Sequence, residues 1–491
     1  MRDLASTIAS NVQHRPLGPA LICGVLYASS AATTVQWGDS ARLSQQILDR
    51  DVPFDLGIGG HPLHTIAGIG WAKLLSFLPV ASAANLLSSF FGAVAVGFVA
   101  ASIYSVTRSI RALWFGSALL AVAHTHWFLS SICESYTLGA VILSAGYWAM
   151  ARSEAQAMWA ALAGGLLALA PLANSYPALA WPGLLVWALL LERDRIRRIT
   201  FLLVGSTAGA LVTIACYAYA VGLVGVAGNL QGQVSTFARA HNMLRQLAET
   251  PLIMGFQFAS PALAWLMWRQ RAHRPPVGAW AALLGALCIS LFASTYLRQK
   301  QFEILIGSTV LLAIALGAWI GDEARPRWTI FHASWVAAFL YLSPFVVGSI
   351  VGNMLSARPA PGRDAAYFLR PWKRGKDSAD QWAREVLESA PPQTTIVADY
   401  TLSRVLRFVN TSNHLRRDVK FIETDSYMQP DPDGIHRHYV MVLNDAIASG
   451  PVVLAQDYEP YYFISEVRQH FDVSPCGPVY CLARHAKGAP R

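Results

Sequence analysis

The sequence predicts a polytopic α-helical membrane protein with a small α/β domain at its C-terminal end. Three observations carry that reading. Hydrophobic residues make up 54% of the 491 residues and charged residues only 14%, where soluble domains carry about 25% charged residues. Apolar stretches of membrane-spanning length recur between residues 17 and 354, each able to cross a hydrocarbon layer about 30 Å thick. From residue 358 onward the chain is polar, with short apolar runs separated by helical patterns, the signature of a small α/β unit.

The apolar runs read as helices near 17–35, 83–106, 112–132, 135–151, 157–173, 177–191, 199–222, 251–268, 278–297, 303–320 and 328–354, about eleven spans. The net charge of +9 belongs to this part of the chain. Residues 1–357 hold 21 Lys and Arg against 13 Asp and Glu, and residues 358–491 hold 17 against 16. The charge is therefore a topology signal and not a nucleic-acid footprint. With the N-terminus in the cytoplasm, 14 basic residues fall in inside loops, from Arg2 and Arg15 to Arg325 and Arg327. Seven fall outside: Arg42, Arg50, Lys73, Arg239, Arg245, Arg298 and Lys300. The positive-inside rule selects this orientation, and eleven spans then leave residues 358–491 outside, beyond the inner (cytoplasmic) membrane, on its periplasmic side.

The first outer loop, 36–82, begins Trp37-Gly38-Asp39-Ser40 and carries Gly60-His61-Pro62-Leu63-His64. A carboxylate at the end of an apolar span is costly unless paired, hydrated or used; Asp39-Ser40 also suits a helix N-cap. Ser40–Arg50 and His64–Leu78 have helical spacing and read as short interfacial helices, with a turn at Gly57–Pro62 between them. A second outer point is the hinge His124–Leu138, where Glu134 is the sole acidic residue between Asp55 and Glu154. Further outer turns bring Asn174 and Tyr176, then Arg298 and Lys300. The candidate site residues thus gather on one side: Asp39, Arg42, His61, His64, His126, Glu134, Tyr136, Asn174, Tyr176, Arg298 and Lys300. Each His and Tyr176 would equally serve as an interfacial hydrogen-bonding side chain, and Arg298 and Lys300 as headgroup anchors. His61/His64 and His124/His126 invite a metal, but neither pair has a strong ligand spacing. No cofactor is assigned, and a divalent metal is kept as an alternative.

In the tail, Ser378–Ser389 reads as an amphipathic helix, Thr394–Tyr400, Val419–Ile422 and Val452–Ala455 as strands, and Thr401–Val409 as a helix. It contains no GxGxxG and no P-loop, so no nucleotide site is expected. Cys476 and Cys481 stand close in sequence and would close a small disulfide loop in an oxidising compartment. Cys23, Cys133, Cys216 and Cys288 lie in or beside spans and read as packing residues.

A span ending in aspartate, a His-Pro loop with surface helices, and a hinge with Glu134-Ser135-Tyr136-Thr137-Leu138 together resemble the GT-C superfamily of membrane glycosyltransferases. The nearest branch is the domain-of-unknown-function 2723 family, similar to the transmembrane protein 260 type protein O-mannosyltransferases. Trp37–Ser40, Gly60–His64, Trp127–Leu138, and in the tail Ala390-Pro391-Pro392 through Asp399 with Arg417-Asp418-Val419 carry the likeness. Residues 17–185 resemble the branch well and the middle of the chain weakly. Ala41-Arg42 stands where the branch has Gly-Glu, and the loop has one proline instead of two or three.

The resemblance implies transfer of a sugar from a polyprenyl-phosphate-linked donor to a protein or glycan acceptor hydroxyl on the outer face. Transfer would invert the anomeric centre, with Asp39 as base and Arg298, Lys300 and Arg42 on the leaving phosphate. Glu134, His61, His64 and Tyr176 would hold sugar hydroxyls or the Asp39 loop. The competing reading is a transporter or flippase, which would show an internal repeat, broken helices and mid-membrane acids; no repeat or mid-span carboxylate is visible.

A C-terminal phosphatase fusion, active only outside the cytoplasm, is expected to be active. An inactive phosphatase together with an active cytoplasmic reporter at the same position would reverse the assigned sidedness.

Overall fold

The computed structural model describes residues 15–54, 60–237, 243–295, 302–355, 360–427 and 436–485. The membrane part runs α1 (Leu17–Ser30), α2 (Asp39–Asp49), α3 (Pro62–Leu74), α4 (Val80–Thr107), α5 (Ile110–Ala121), α6 (His124–Ser130), α7 (Tyr136–Arg152), α8 (Trp159–Leu169) and α9 (Trp181–Leu190). It continues with α10 (Arg195–Phe237), α11 (Met243–Phe258), α12 (Pro261–Gln270), α13 (Val277–Ala293), α14 (Ile306–Ile320) and α15 (Pro326–Leu355). Helices occupy every stretch read as a span. By length and composition, four can cross a membrane: Val80–Thr107, Arg195–Gly222, Phe302–Glu323 and Pro326–Val346. Four more are apolar but shorter: Leu17–Ser30, Trp159–Leu172, Tyr176–Leu190 and Val277–Ala293. The chain is a multi-pass membrane protein.

Three expected spans take a different form. The first stops at Ser30 instead of residue 35, because Ala31 turns extended. Asn85 Nδ2 then donates to the carbonyls of Ala32 at 2.9 Å and Thr34 at 3.0 Å, holding the strand-like segment on α4. The stretch 112–132 is divided into α5 and α6, bent by 68°. The stretch 251–268 is divided between α11 and α12, which begins with Pro261 after an extended Ser260. A proline at the first helical position starts a new helix and cannot continue the old one.

Small residues let the helices close. A Cβ on Gly205 of α10 would lie 1.9 Å from the Ala161 carbonyl oxygen of α8, and one on Gly209 2.6 Å from the Gly165 carbonyl. Two glycines four apart thus put two backbones in direct contact, as small-xxx-small faces do in membranes.

The tail begins with α16 (Ala365–Leu369) and α17 (Ser378–Ser389). It continues with β1 (Thr395–Ala398), α18 (Tyr400–Asn413), β2 (Lys420–Glu423), α19 (Arg437–Ser449), β3 (Val452–Leu454), α20 (Glu459–Tyr462), α21 (Ile464–His470), β4 (Phe471–Cys476) and β5 (Val479–Arg484). The strand order is β2-β1-β3-β5-β4. β1 pairs in parallel with β2 and β3, while β5 is antiparallel to β3 and β4. β1 and β3 are buried throughout, as central parallel strands covered on both faces are. The helix at Ser378–Ser389 and the three strands fall where the sequence reading put them. The β4–β5 hairpin was not anticipated, and Cys476 and Cys481 are joined across it. Gly477, at φ 69°, makes its turn.

The segment between bundle and sheet is no solvated linker. The backbone N–H groups of Lys373 and Arg374 donate to the Ser30 carbonyl at 2.7 and 3.0 Å. The Lys373 ammonium is fully buried. It donates to the carbonyls of Tyr367 and Arg370 and lies 4.3 Å above the Phe128 ring and 4.6 Å above that of Tyr367. The segment straps the C-terminal end of α1 to α6.

Thiol labelling of the denatured protein is expected to reach four cysteines without reductant and six after reduction. Replacing Cys476 and Cys481 by serine should lower the stability of the tail by about 2 kcal/mol, the chain-entropy value for so short a loop.

Candidate functional site

The segment that leaves α1 is fixed before it reaches Asp39. Ala32 N–H donates to the Ser131 carbonyl at 2.9 Å, and Gln36 Nε2 donates to the Lys376 carbonyl at 2.7 Å. Trp37 packs on Trp382 of α17 with ring centroids 5.7 Å apart. Gly38 then adopts φ 68°, ψ −126° as the N-cap of α2, a conformation open to glycine and strained for other residues. Asp39 is the first residue of the helix, and no side chain caps it. The capping alternative is therefore overturned. The Asp39 carboxylate is spent on other groups: the Tyr400 hydroxyl donates to its Oδ1, and Arg42 Nη2, one turn along α2, lies 3.5 Å from the same oxygen. The helix N-terminus adds a favourable field for the negative charge.

Both members of the pair are mostly buried, with side-chain exposures of 16% for Asp39 and 12% for Arg42. Burial acts to lower the Arg42 pKa. Asp39 opposes it, joined by Tyr400, Glu134 and Tyr136, and the net shift is upward. Glu134 and Tyr136 come from the hinge between α6 and α7. Glu134 N–H donates to Ser88 Oγ at 2.9 Å, and Thr137 Oγ1 donates to the Glu134 carbonyl at 3.2 Å. Glu134 is 4% exposed. Its charge also acts on Tyr367 of the strap, opposite in sign to that of Arg363.

His61 is the N-cap of α3, with Pro62 as the first helical residue. His64, one turn further, is fully buried. Among the described residues, neither of its ring nitrogens has a hydrogen-bond partner. Its pKa is pushed down to about 3, by burial first and then by His61 and Arg42. α3 is seated on α2 at Gly68, where a Cβ would meet Ile47 Cδ1 at 2.4 Å.

Asp39, Arg42, His61, His64, Glu134 and Tyr136 thus form one cluster. Tyr176 and Asn174 stand behind it: Tyr176 OH donates to the Tyr136 carbonyl at 2.9 Å and stacks on its ring, and Asn174 Nδ2 donates to Ser135 Oγ at 3.2 Å. His126 packs inside the bundle instead, its Nε2 3.1 Å from the Gly92 carbonyl and its ring edge-on to Tyr27. Arg298 and Lys300 lie outside the described residues. Tyr400 was missed by sequence reasoning. One signal could have found it: it ends the predicted strand 394–400, and the carboxyl ends of parallel strands are where α/β sheets present functional groups. Among the described residues, no group of three or more His, Cys, Asp or Glu is placed to hold a metal ion.

With this geometry in hand, the chain can be set beside known proteins. No family model matches the sequence, and no curated protein matches it. The structure is similar to the crystal structure of ArnT from Cupriavidus metallidurans bound to undecaprenyl phosphate, with TM-score 0.56, 16% identity, and 97% of this chain and 98% of that chain covered. For the apo state of ArnT the values are 0.56, 16%, 99% and 100%. The archaeal oligosaccharyltransferase AglB from Archaeoglobus fulgidus, in complex with an inhibitory peptide and a dolichol-phosphate, is similar at TM-score 0.48 and 13% identity, over 97% of this chain and 75% of that chain. The chain shares its fold with ArnT over nearly the whole of both chains.

The buried imidazole sets a pH dependence. The folded-state pKa of His64 lies below its ordinary 6.5, so below that pH the unfolded chain takes up a proton that the folded chain refuses. Stability is full above pH 6.5 and declines as pH falls toward 3. At about pH 5 the loss from this residue is about 2 kcal/mol. Melting of the purified protein from about pH 7 to about pH 5 should show that decline, and His64→Gln should flatten it.

Proposed function

We propose that the chain is a glycosyltransferase that moves a sugar from a polyprenyl-phosphate carrier to an acceptor hydroxyl on the outer face of the membrane. The observation that carries this reading is the buried Asp39–Arg42 pair at the mouth of the bundle. It sets a base and an anion-binding cation one helical turn apart, inside a fold shared with a protein crystallised with undecaprenyl phosphate.

The acceptor oxygen attacks the anomeric carbon from the side opposite the phosphate. The new C–O bond forms as the bond to the phosphate oxygen breaks, and the anomeric centre inverts. Asp39 takes the hydroxyl proton, and polyprenyl phosphate leaves with the electron pair. Arg42 meets the charge that grows on the phosphate; Arg298 and Lys300 are proposed as further cations there. Glu134 and the two-nitrogen edge of His64 are suited to sugar hydroxyls, since among the described residues His64 has no partner at either nitrogen. A groove of about 340 Å³ opens on the soluble part, lined by Trp382, Gln456, Asp457, Tyr458 and Tyr480 among others. It adjoins Trp37 through Trp382, which makes it the proposed acceptor approach. The disulfide supports the outer location of the tail, as does the excess of basic residues in the opposite loops. We take the bilayer in question to be the inner (cytoplasmic) membrane, with residues 1–357 as the transferase unit and 358–491 as an extracytoplasmic domain. The motifs Trp37–Ser40, Gly60–His64 and Trp127–Leu138 support a place near the domain-of-unknown-function 2723 branch and its O-mannosyltransferases.

The bent α5–α6 pair is also the kind of break on which a transporter reading would rest. Its groups are tied elsewhere. His124 Nε2 lies 2.8 Å from the Phe368 carbonyl of the strap, and Thr125 exchanges two 2.8 Å hydrogen bonds with Gln257. The break holds the strap and α11.

The reading is tested by Asp39→Asn in purified protein supplied with a polyprenyl-phosphate sugar. Asparagine keeps the size and loses the basicity, so turnover should fall about 100-fold or more while donor binding persists. Glu134→Gln should weaken substrate affinity with a smaller loss of turnover. Near-normal turnover in Asp39→Asn would remove Asp39 as the base.

A further inference from the structure

Tyr400 is the first residue of α18 in the soluble part, 361 positions from Asp39 in sequence. Its position is set from three sides. Asp399 caps the helix through Oδ1, which accepts from Thr401 N–H at 2.8 Å, and its Oδ2 accepts from the buried Tyr462 hydroxyl at 3.1 Å. The Tyr400 N–H donates to Asp425 Oδ2 at 2.5 Å, so the loop after β2 fixes its backbone. The Arg404 guanidinium lies 4.9 Å above the Tyr400 ring and is itself paired with Glu423 of β2 at 3.1 Å. These contacts fix both the backbone and the ring of a side chain whose hydroxyl then reaches across to Asp39 Oδ1. α18 and α2 pack directly on one another.

We propose that Tyr400 is a positioning residue for the Asp39 base, so that the catalytic site is complete only with the soluble part docked on α2. A carboxylate is a useful base only in the rotamer that aims an oxygen at the acceptor. Arg42 reaches Oδ1 from within α2. A second donor, from a different part of the fold, adds a fixed direction to the one that Arg42 gives from within the helix turn. The sheet of the tail, whose carboxyl edge carries Asp399, Tyr400 and Asp425, is thereby a working part of the transferase as well as a site for the acceptor. This inference rests on the transferase reading and adds to it the control of Asp39 by the soluble part.

Tyr400→Phe is the probe, because it keeps the ring under Arg404 and removes only the hydroxyl. With full-length protein, turnover is expected to fall about 10-fold, the weight of one hydrogen bond to a charged group, with KM for donor and acceptor near wild type. In an Asp39→Asn background the same change should cost less than about 2-fold, since the carboxylate it orients is gone. A raised KM at unchanged turnover would make Tyr400 a substrate-binding residue, and an equal loss in both backgrounds would detach it from Asp39; either result overturns the proposal, as does wild-type turnover. Wild-type protein that transfers nothing would instead defeat the transferase reading. In that case a thermal double-mutant cycle of Asp39→Asn and Tyr400→Phe still decides the contact, and strictly additive melting shifts would refute it.

Discussion

The ion pair of Asp39 and Arg42 is the constraint around which α2, the hinge before α7 and the soluble part are arranged. Two charges with little exposure at the mouth of an apolar bundle are tolerable only when each has strong partners. Arg42 has Asp39 and, further off, Glu134 and the hydroxyls of Tyr136 and Tyr400. Asp39 has Arg42, Tyr400 and the N-terminus of its own helix. These groups arrive on three pieces of chain: Asp39 and Arg42 on α2, Glu134 and Tyr136 at the hinge before α7, and Tyr400 on the first turn of α18. The Gly38 turn, the Asn85 amide and the Gln36 bond to Lys376 all serve to present the pair at one place.

The strap after α15 solves a second problem of the same kind. α1 stops at Ser30, and the last carbonyls of a helix need partners from elsewhere. Lys373 and Arg374 give two N–H groups to the Ser30 carbonyl. The Lys373 side chain then turns inward. Burial, and to a lesser degree Lys376, hold its pKa well below the ordinary lysine value, while Asp364 opposes them. Two carbonyls and two aromatic faces surround the ammonium. Trp372 completes the seal, 5.6 Å from Trp127 and stacked on Tyr341. A segment rich in Arg, Lys, Pro and Gly is thus an interior element.

The likeness to ArnT extends over nearly the full length of both chains at 16% identity. Helices with small-residue faces and an outer loop of surface helices can be kept while most side chains change, because lipid-facing positions ask only for apolarity. Fold likeness of that kind says nothing of which carboxylate reacts. Asp39 is singled out by local features: its burial, its cation at i+3 and the hydroxyl that reaches it.

The sequence by itself determined the class of the molecule. Membrane spans are long apolar runs, and hydropathy reports them without tertiary help; the helices at Val80–Thr107 and Phe302–Glu323 stand where the runs do. The amphipathic Ser378–Ser389 helix and the central strands were legible for the same reason, since their periods follow from which face is buried. Asp39, Arg42 and Glu134 were legible because charges are rare in such a chain. The cluster itself was a tertiary decision. Nothing local distinguishes His64, which joins the cluster, from His126, which packs against Gly92. Nor could the capping role of Asp39-Ser40 be rejected without knowing that a hydroxyl 361 residues away would take the carboxylate. Sequence periodicity records which side of an element is buried. It does not record which other element covers it, and Tyr400 meets Asp39 only because the soluble sheet is docked on α2.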